Sequence, residues 1–208
     1  MAYIDLSLTA EPKLFEKFLQ HLQKGVKVTA RIGPTVRSFL CDDLGLSPEY
    51  AESRIQTLFL NGKAVDSLDN NYLKENSTIA LSAAMPGLLG ATLRKGGYYS
   101  SMRKEISCQD HNGRTAVHTG FVLLKLFNLL IPEIGSSILE RGIWFKREEL
   151  EGLLKELPVD ALSHCVEARV NDQSVNPMSL KGKNWGNEMI LLQVKSIPSS
   201  AGNRREDP

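Results

Sequence analysis

An Asn-Gly pair between two short apolar runs is the feature that most constrains how this chain of 208 residues folds. Leu58-Phe59-Leu60 precedes Asn61-Gly62, and Lys63-Ala64-Val65 follows it. Both central positions of a type I′ turn need a positive φ, which Asn and Gly tolerate best. The pattern therefore predicts a two-residue β-hairpin.

The residues around this hairpin alternate between strand and helix patterns. In chain order the patterns predict a strand at 2–8, a helix at 14–22, a strand at 26–32, a helix at 34–44, the hairpin and a strand at 78–82. Gly25 and Gly45 stand where the first two helices are expected to end.

The second half of the chain also mixes helix and strand patterns, but it predicts no topology that we recognise. The apolar run 121–131 contains Lys125 and Asn128, and its periodicity fits a strand or a helix equally well. Further along, the patterns predict a short helix at 132–139, an amphipathic helix at 148–157, and strands at 166–170 and 189–194. We find no internal repeat in the sequence.

Three stretches of the first half resemble a known superfamily. They are Pro34-Thr35-Val36, the hairpin Leu60 to Val65, and Leu73 to Ala80. Together they are similar to β-grasp (ubiquitin-like) proteins over about residues 26–90, in particular the molybdopterin synthase small subunit and thiamine sulfur carrier family. The resemblance implies a curled sheet that grips a single helix.

The expected fold class is therefore α+β, with an N-terminal β-grasp domain followed by a second small α+β domain. The expected division is a β-grasp-like domain at 1–90 with an inserted helix near 11–24, a glycine-rich basic connector at 91–117, an α+β domain at 118–197 and a flexible tail at 198–208.

A Gly-Gly pair extends the resemblance from fold to function. In the sulfur carriers the last strand leads to a C-terminal Gly-Gly, whose carboxylate is activated as an adenylate and then converted to a thiocarboxylate. Here Gly96-Gly97 is followed by Tyr98, and an internal peptide bond has no free carboxylate. A carrier or modifier would need cleavage after Gly97. The alternative is an internal turn that uses glycine for its positive φ.

The Gly-Gly pair belongs to a basic segment, residues 85–104, which contains no acidic residue. Backbone N–H groups of glycines together with cations can bind an anion, and exposed tyrosines can stack on a ring. The predicted contact residues are Arg94, Lys95, Gly96, Gly97, Tyr98, Tyr99, Arg103 and Lys104. The alternative is a solvated connector that the cations keep soluble.

Possible metal and catalytic residues form no strong motif. The histidines and cysteines that we weighed are Cys108, His111, His118, His164 and Cys165. They lack the paired C-x-x-C spacing typical of zinc sites, and no nucleophile or oxyanion motif accompanies them. The sequence predicts no metal site, no cofactor and no catalytic residue.

Charge and hydropathy narrow the classes of function. The formal net charge of +1 gives no global argument for nucleic-acid binding. Three widely spaced cysteines imply no disulfide framework, and no apolar run is long enough for a membrane span, so we expect a cytoplasmic protein. The leading prediction is a non-catalytic binding or adaptor protein that contacts a protein partner or a small anionic ligand. The alternative is a sulfur-carrier or modifier-like precursor, and an enzyme in the C-terminal half stays open.

Overall fold

The alternating runs become strands throughout the described part of the chain, residues 2–99 and 116–197 of the computed structural model. The strands are β1 (Tyr3–Ala10), β2 (Val26–Ile32), β3 (Thr57–Leu60), β4 (Lys63–Ala64), β5 (Thr78–Ser82), β6 (His118–Phe127), β7 (Ile143–Phe145), β8 (Cys165–Val170), β9 (Gln173–Val175) and β10 (Met189–Ser196). The α-helices are α1 (Pro12–Lys24), α2 (Val36–Ser38), α3 (Gly87–Leu93), α4 (Leu130–Arg141) and α5 (Arg147–Glu156). The fold is α+β, as the sequence predicts.

Short helical turns connect these elements. Helix α2 continues directly into a π-helical turn at Phe39–Asp43, and a second π-helical turn lies at Tyr50–Arg54. Two 3₁₀ turns lie at Ala161–His164 and Pro177–Gly182. None of the helices within the described ranges has the length and apolar character that a bilayer span requires.

The chain divides into two compact units. The described residues of Met1–Gln20 and Leu139–Pro208 form unit 1, and those of His21–Ile138 form unit 2. This division differs from the expected boundaries near residues 90 and 118. The physical reason is long-range strand pairing, since β1 pairs with β8 and β10, whereas β6 pairs with β2 and β5.

The sheet of unit 2 has the strand order β4-β3-β5-β6-β2. The predicted hairpin forms between β3 and β4, and Asn61 and Gly62 adopt φ values of 51° and 78°. Strands β5 and β6 are parallel, and the other neighbours are antiparallel. The run 121–131, which fitted strand and helix equally, is strand to Phe127 and helix from Leu130, with Asn128 at a φ of 54° between them.

The two faces of this sheet differ in burial. One face contributes the buried side chains of alternate residues, such as Val122, Leu124 and Leu126 of β6. The helix that begins at α2 adds apolar residues to the core of unit 2 and is tied to β2 by Arg31, whose Nε donates to Asp43 Oδ1 at 2.6 Å. The opposite face carries half-buried residues of β3, β5 and β6.

The sheet of unit 1 repeats the same pattern of strand directions. Its order is β7-β10-β1-β8-β9, with β10 and β1 parallel at the centre and antiparallel neighbours on both sides. In unit 2 the strand that follows the hairpin, β5, lies beside β3 of that hairpin. In unit 1 the corresponding strand, β10, lies beside β7, and β1 takes the place next to β8.

The elements therefore occur twice in chain order, as strand, helix, strand, helix, hairpin and strand. Gly25 and Gly142 each follow the first helix of a series, at φ values of 111° and 108°. Asn61-Gly62 and Asn171-Asp172 form the two hairpin turns. This repetition lies in the order of the elements and in the positions of the positive-φ turns, whereas the sequence alone shows no internal repeat.

Gly142 and Gly152 offer a matched test of the conformations in unit 1. A Cβ atom at Gly142 would lie 2.5 Å from Leu191 Cδ1 on a backbone of positive φ, whereas a Cβ atom at Gly152 meets nothing within 4 Å. We expect Gly142→Ala to lower the free energy of unfolding by about 1–3 kcal/mol. Gly152→Ala, inside α5, should raise it by up to about 1 kcal/mol because alanine favours helix.

Urea denaturation of the two variants measures both effects. Shifts of the unfolding midpoint in the same direction for both variants would contradict this assignment of the two glycines.

Candidate functional site

Lys95 attaches the described part of the basic segment, residues 85–99, to the body of unit 2. Its ammonium group donates to the backbone oxygen of Ala51 and to the Glu52 carboxylate, both at 2.9 Å. Its backbone N–H donates to the oxygen of Gln56 at 2.7 Å. The Lys95 side chain is only 8% exposed. This lysine, predicted as a ligand contact, therefore holds the segment in place.

The Gly-Gly pair forms a turn whose amides are bonded within the protein. Gly96 has a φ of 59°, and its N–H donates to Asp66 Oδ1 at 3.2 Å. The N–H of Gly97 donates to the oxygen of Arg94 at 3.1 Å. These two amides hold the turn closed, so in this arrangement they are not directed at an anion.

Helix α3 presents apolar side chains from the anchored segment. Gly90 is required for the tight start of this helix, because a Cβ atom there would lie 1.7 Å from the oxygen of Met85. Leu88 and Leu89 are 74% and 62% exposed, and Tyr98 beyond the Gly-Gly turn is 90% exposed. Tyr99 packs edge-on against the Tyr98 ring. The large exposed side chains of the described part of this segment are thus leucines, tyrosines and Arg94.

The π-helical turn that holds Lys95 is fixed in turn by α4. The Tyr50 hydroxyl donates to Glu133 Oε2 at 2.6 Å, and Arg54 Nε donates to the same oxygen at 2.9 Å. Hydrogen bonds from Arg54 and then Tyr50 lower the pKa of Glu133 to about 2. On the other side of the turn, the pKa of Glu52 is lowered by hydrogen bonds from Arg37 and Lys95.

A pocket of about 450 Å³ opens on the half-buried face of the unit 2 sheet. The described residues that line it come from β3, β5, β6 and the beginning of the basic segment. They are Phe59, Gly62, Thr78, Ala80, Leu81, Ser82, Met85, Pro86, Lys125, Phe127 and Asn128. Pockets of this size can hold a small ligand. Among these residues Lys125 is the single charged one.

Asn128 fixes one wall of the pocket. Its Nδ2 donates to the oxygen of Ala84 at 2.8 Å and to Ser82 Oγ at 3.2 Å. The Ser82 hydroxyl donates to the same Ala84 oxygen at 3.1 Å. These bonds tie the end of β6 to the chain that leaves β5, and they hold the adjoining Met85 and Pro86 against the pocket.

The histidines and cysteines weighed from the sequence have local partners where they are described. His118 Nε2 lies 3.5 Å from Glu75, and His164 Nδ1 lies 2.7 Å from Glu11. Cys165 is buried, and burial raises the pKa of its thiol. No cluster with metal-binding potential is found among residues 2–99 and 116–197. Four of the weighed residues lie outside these ranges: Arg103, Lys104, Cys108 and His111.

Reasoning from the sequence missed the residues that build this site, namely Glu52, Glu133, Lys125 and Asn128. Lys125 and Asn128 left a signal, because both interrupt the apolar run 121–131. Glu52 and Glu133 left none, since each carboxylate gains its role from residues far away in the chain.

The first prediction for the site concerns the anchor of the basic segment. Glu52→Gln removes the ion pairs with Lys95 and Arg37, and we expect trypsin to cleave at Arg94 and Lys95 about fivefold faster, because a partly exposed ion pair contributes up to about 1 kcal/mol. Mass spectrometry of the fragments measures this rate. Glu49→Gln, an exposed carboxylate just before the same turn, is the control. Equal rates for both variants would exclude the anchoring role of Glu52.

The second prediction concerns the pH dependence of stability. Because the pKa of Glu133 is about 2 in the folded protein and about 4.5 ordinarily, its contribution is complete above pH 4.5. The contribution is lost as the pH falls toward 2. Glu133→Gln should therefore lose less stability than the wild type between pH 5 and pH 2.5, as measured by urea midpoints. Glu140→Gln, on the same helix, should behave like the wild type; an acid profile of Glu133→Gln that also matches the wild type would contradict the pairing.

Comparison of the chain with protein-family models, with curated proteins and with solved structures finds no match. The structural features that bear on function are therefore the anchored segment, the pocket and the strand order of unit 2.

Proposed function

We propose that this protein is a non-catalytic binding or adaptor protein, in which residues 85–104 contact a protein partner and unit 2 is a β-grasp-like domain. The observation that carries the proposal is the anchored yet exposed character of the segment. Lys95 and Gly96 fix its course by hydrogen bonds, while Leu88, Leu89 and Tyr98 remain exposed.

Exposed apolar groups on a fixed segment favour partner binding for two reasons. Neighbouring exposed leucines cost free energy in water, and their burial by a partner recovers it. A segment that is already held in place also loses little conformational entropy on binding. Cations that anchor the segment, such as Lys95, act in this proposal by positioning the apolar contacts.

The strand order of unit 2 supports the β-grasp part of the proposal. The fold needs two strands, a helix, a hairpin and a final strand around one core. In unit 2 the strand β2, the helix beginning at α2, the hairpin β3-β4 and the strand β5 follow one another in that order. The remaining strand is β6, which lies between β2 and β5. We therefore describe the proposed domain as a β-grasp in which β6, the last of its strands in chain order, takes the place of the first strand.

A sulfur-carrier or modifier-like precursor is the second candidate. Exposure around the required cleavage point favours it, since Gly96 and Tyr98 are both exposed beside Gly97. Intact-mass measurement of protein isolated from its native host distinguishes the two candidates. A species that ends at Gly97 supports the precursor, and only full-length chain excludes it.

The adaptor proposal predicts that Leu88 and Leu89 are needed for partner binding. We expect tagged full-length protein to retain one partner at a fixed stoichiometry in its native host. The double variant Leu88→Ser and Leu89→Ser should reduce recovery of that partner at least tenfold, because each buried leucine contributes about 1.5–3 kcal/mol.

Val159→Ser is the matched control, since Val159 is an apolar residue of unit 1 that is 87% exposed. Circular dichroism and the Tm should be unchanged in all variants. Absence of a stoichiometric partner, or equal recovery with the double variant, would refute the proposal.

A further inference from the structure

The pocket of unit 2 goes beyond the proposed adaptor function, because it does not include Leu88, Leu89 or Tyr98. It lies over the pairing of β5 with β6, where Ala80 is opposite Lys125 and Ser82 is opposite Phe127. The floor is thus made of strands within one sheet, and the Met85-Pro86 wall is fixed by the bonds from Asn128 and Ser82 to Ala84.

Two polar side chains of the pocket, Asn128 and Ser82, already have partners within the protein. The Asn128 amide donates to Ala84 and Ser82, and the Ser82 hydroxyl also donates to Ala84. The backbone groups of β5 take part in the ladders with β3 and β6. A peptide backbone placed against β5 would lose its bonds to water without replacing them there, which is costly. The walls therefore suit an occupant whose body is apolar.

Lys125 gives the pocket one cationic group. Its stem lies across Gly25, where a Cβ atom would be 3.0 Å from Lys125 Cε and 3.2 Å from Cγ. Gly25 thus makes the room in which this side chain lies. Among the described residues no side chain forms an ion pair or hydrogen bond with the Lys125 ammonium group. An ammonium group that has no side-chain partner among the described residues is stabilised by a ligand that brings one negative charge.

We propose that this pocket binds a small amphipathic monocarboxylate, with its apolar body against Phe59, Ala80 and Phe127 and its carboxylate at Lys125. One ammonium group matches one carboxylate charge. A phosphate monoester, which carries nearly two charges and three acceptor oxygens, needs more donors than this pocket has. The occupant is a free small molecule, because a pocket of about 450 Å³ holds a body of that size.

Isothermal titration calorimetry of the full-length protein tests this ligand class with three probes of equal chain length: decanoate, decanol and decylamine, each below its aggregation threshold. We expect decanoate to bind about tenfold more tightly than decanol, because only its carboxylate can accept a charge-assisted hydrogen bond from Lys125. Decylamine should bind more weakly than decanol. Added salt should weaken decanoate binding only.

Two lysine variants and one filling variant locate the site. Lys125→Met should reduce decanoate affinity about tenfold to the level of decanol and leave decanol unchanged. Lys27→Met is the control, because Lys27 lies over the Phe121 ring of β6 and does not line the pocket. Ala80→Trp should abolish binding of both decanoate and decanol by filling the pocket.

Equal affinity for decanoate and decanol in the wild type, or an unchanged decanoate affinity in Lys125→Met, overturns the proposal. Absence of binding by both probes also overturns it. If Ala80→Trp does not fold, the two lysine variants decide alone. None of these results bears on the adaptor function, which is tested at Leu88 and Leu89.

Discussion

The parallel pairing of β5 with β6 is the interaction on which unit 2 depends. It joins a strand that follows the hairpin to one that begins more than thirty residues later, at His118. Because β6 also pairs with β2, it closes the sheet over the core residues Val122, Leu124 and Leu126. The same register sets Lys125 beside Ala80 on the opposite face. One ladder thus builds both the core and the floor of the pocket.

Charged side chains in unit 2 mainly position backbone. Glu133 holds the π-helical turn through Tyr50 and Arg54, and Glu52 on the same turn holds Lys95. Each pair is partly exposed and stabilises only weakly alone. Together they connect α4 to the basic segment through a short chain of contacts. The described part of this segment therefore exposes apolar side chains, Leu88, Leu89 and Tyr98, beside the exposed Arg94.

The two units use the same order of strand directions with different chain connections. In each unit a parallel pair lies at the centre, formed by β5 and β6 in unit 2 and by β1 and β10 in unit 1. The first strand of each series belongs to the unit made mostly from the other series. Glycine at 25 and 142, and asparagine at 61 and 171, keep the turns that this arrangement needs. The positive φ at these four positions explains why glycine and asparagine stand there, because few other residues tolerate it.

Local chemistry determined much of the secondary structure from the sequence alone. Asn61-Gly62 predicted the hairpin, alternation predicted β1, β2 and β8, and leucine spacing predicted α5, because these signals act over a few residues. The partners of the strands came only from the tertiary structure, since β1 pairs with β8 and β10, and β6 with β2 and β5, all distant in the chain. The same holds for the site: the sequence predicts Lys95 as a ligand contact, and in the structure Glu52, forty-three residues earlier, makes it an anchor. In the sequence Lys125 only interrupts an apolar run. The fold brings it to the lining of a pocket, and the role of a charged side chain depends on the groups around it.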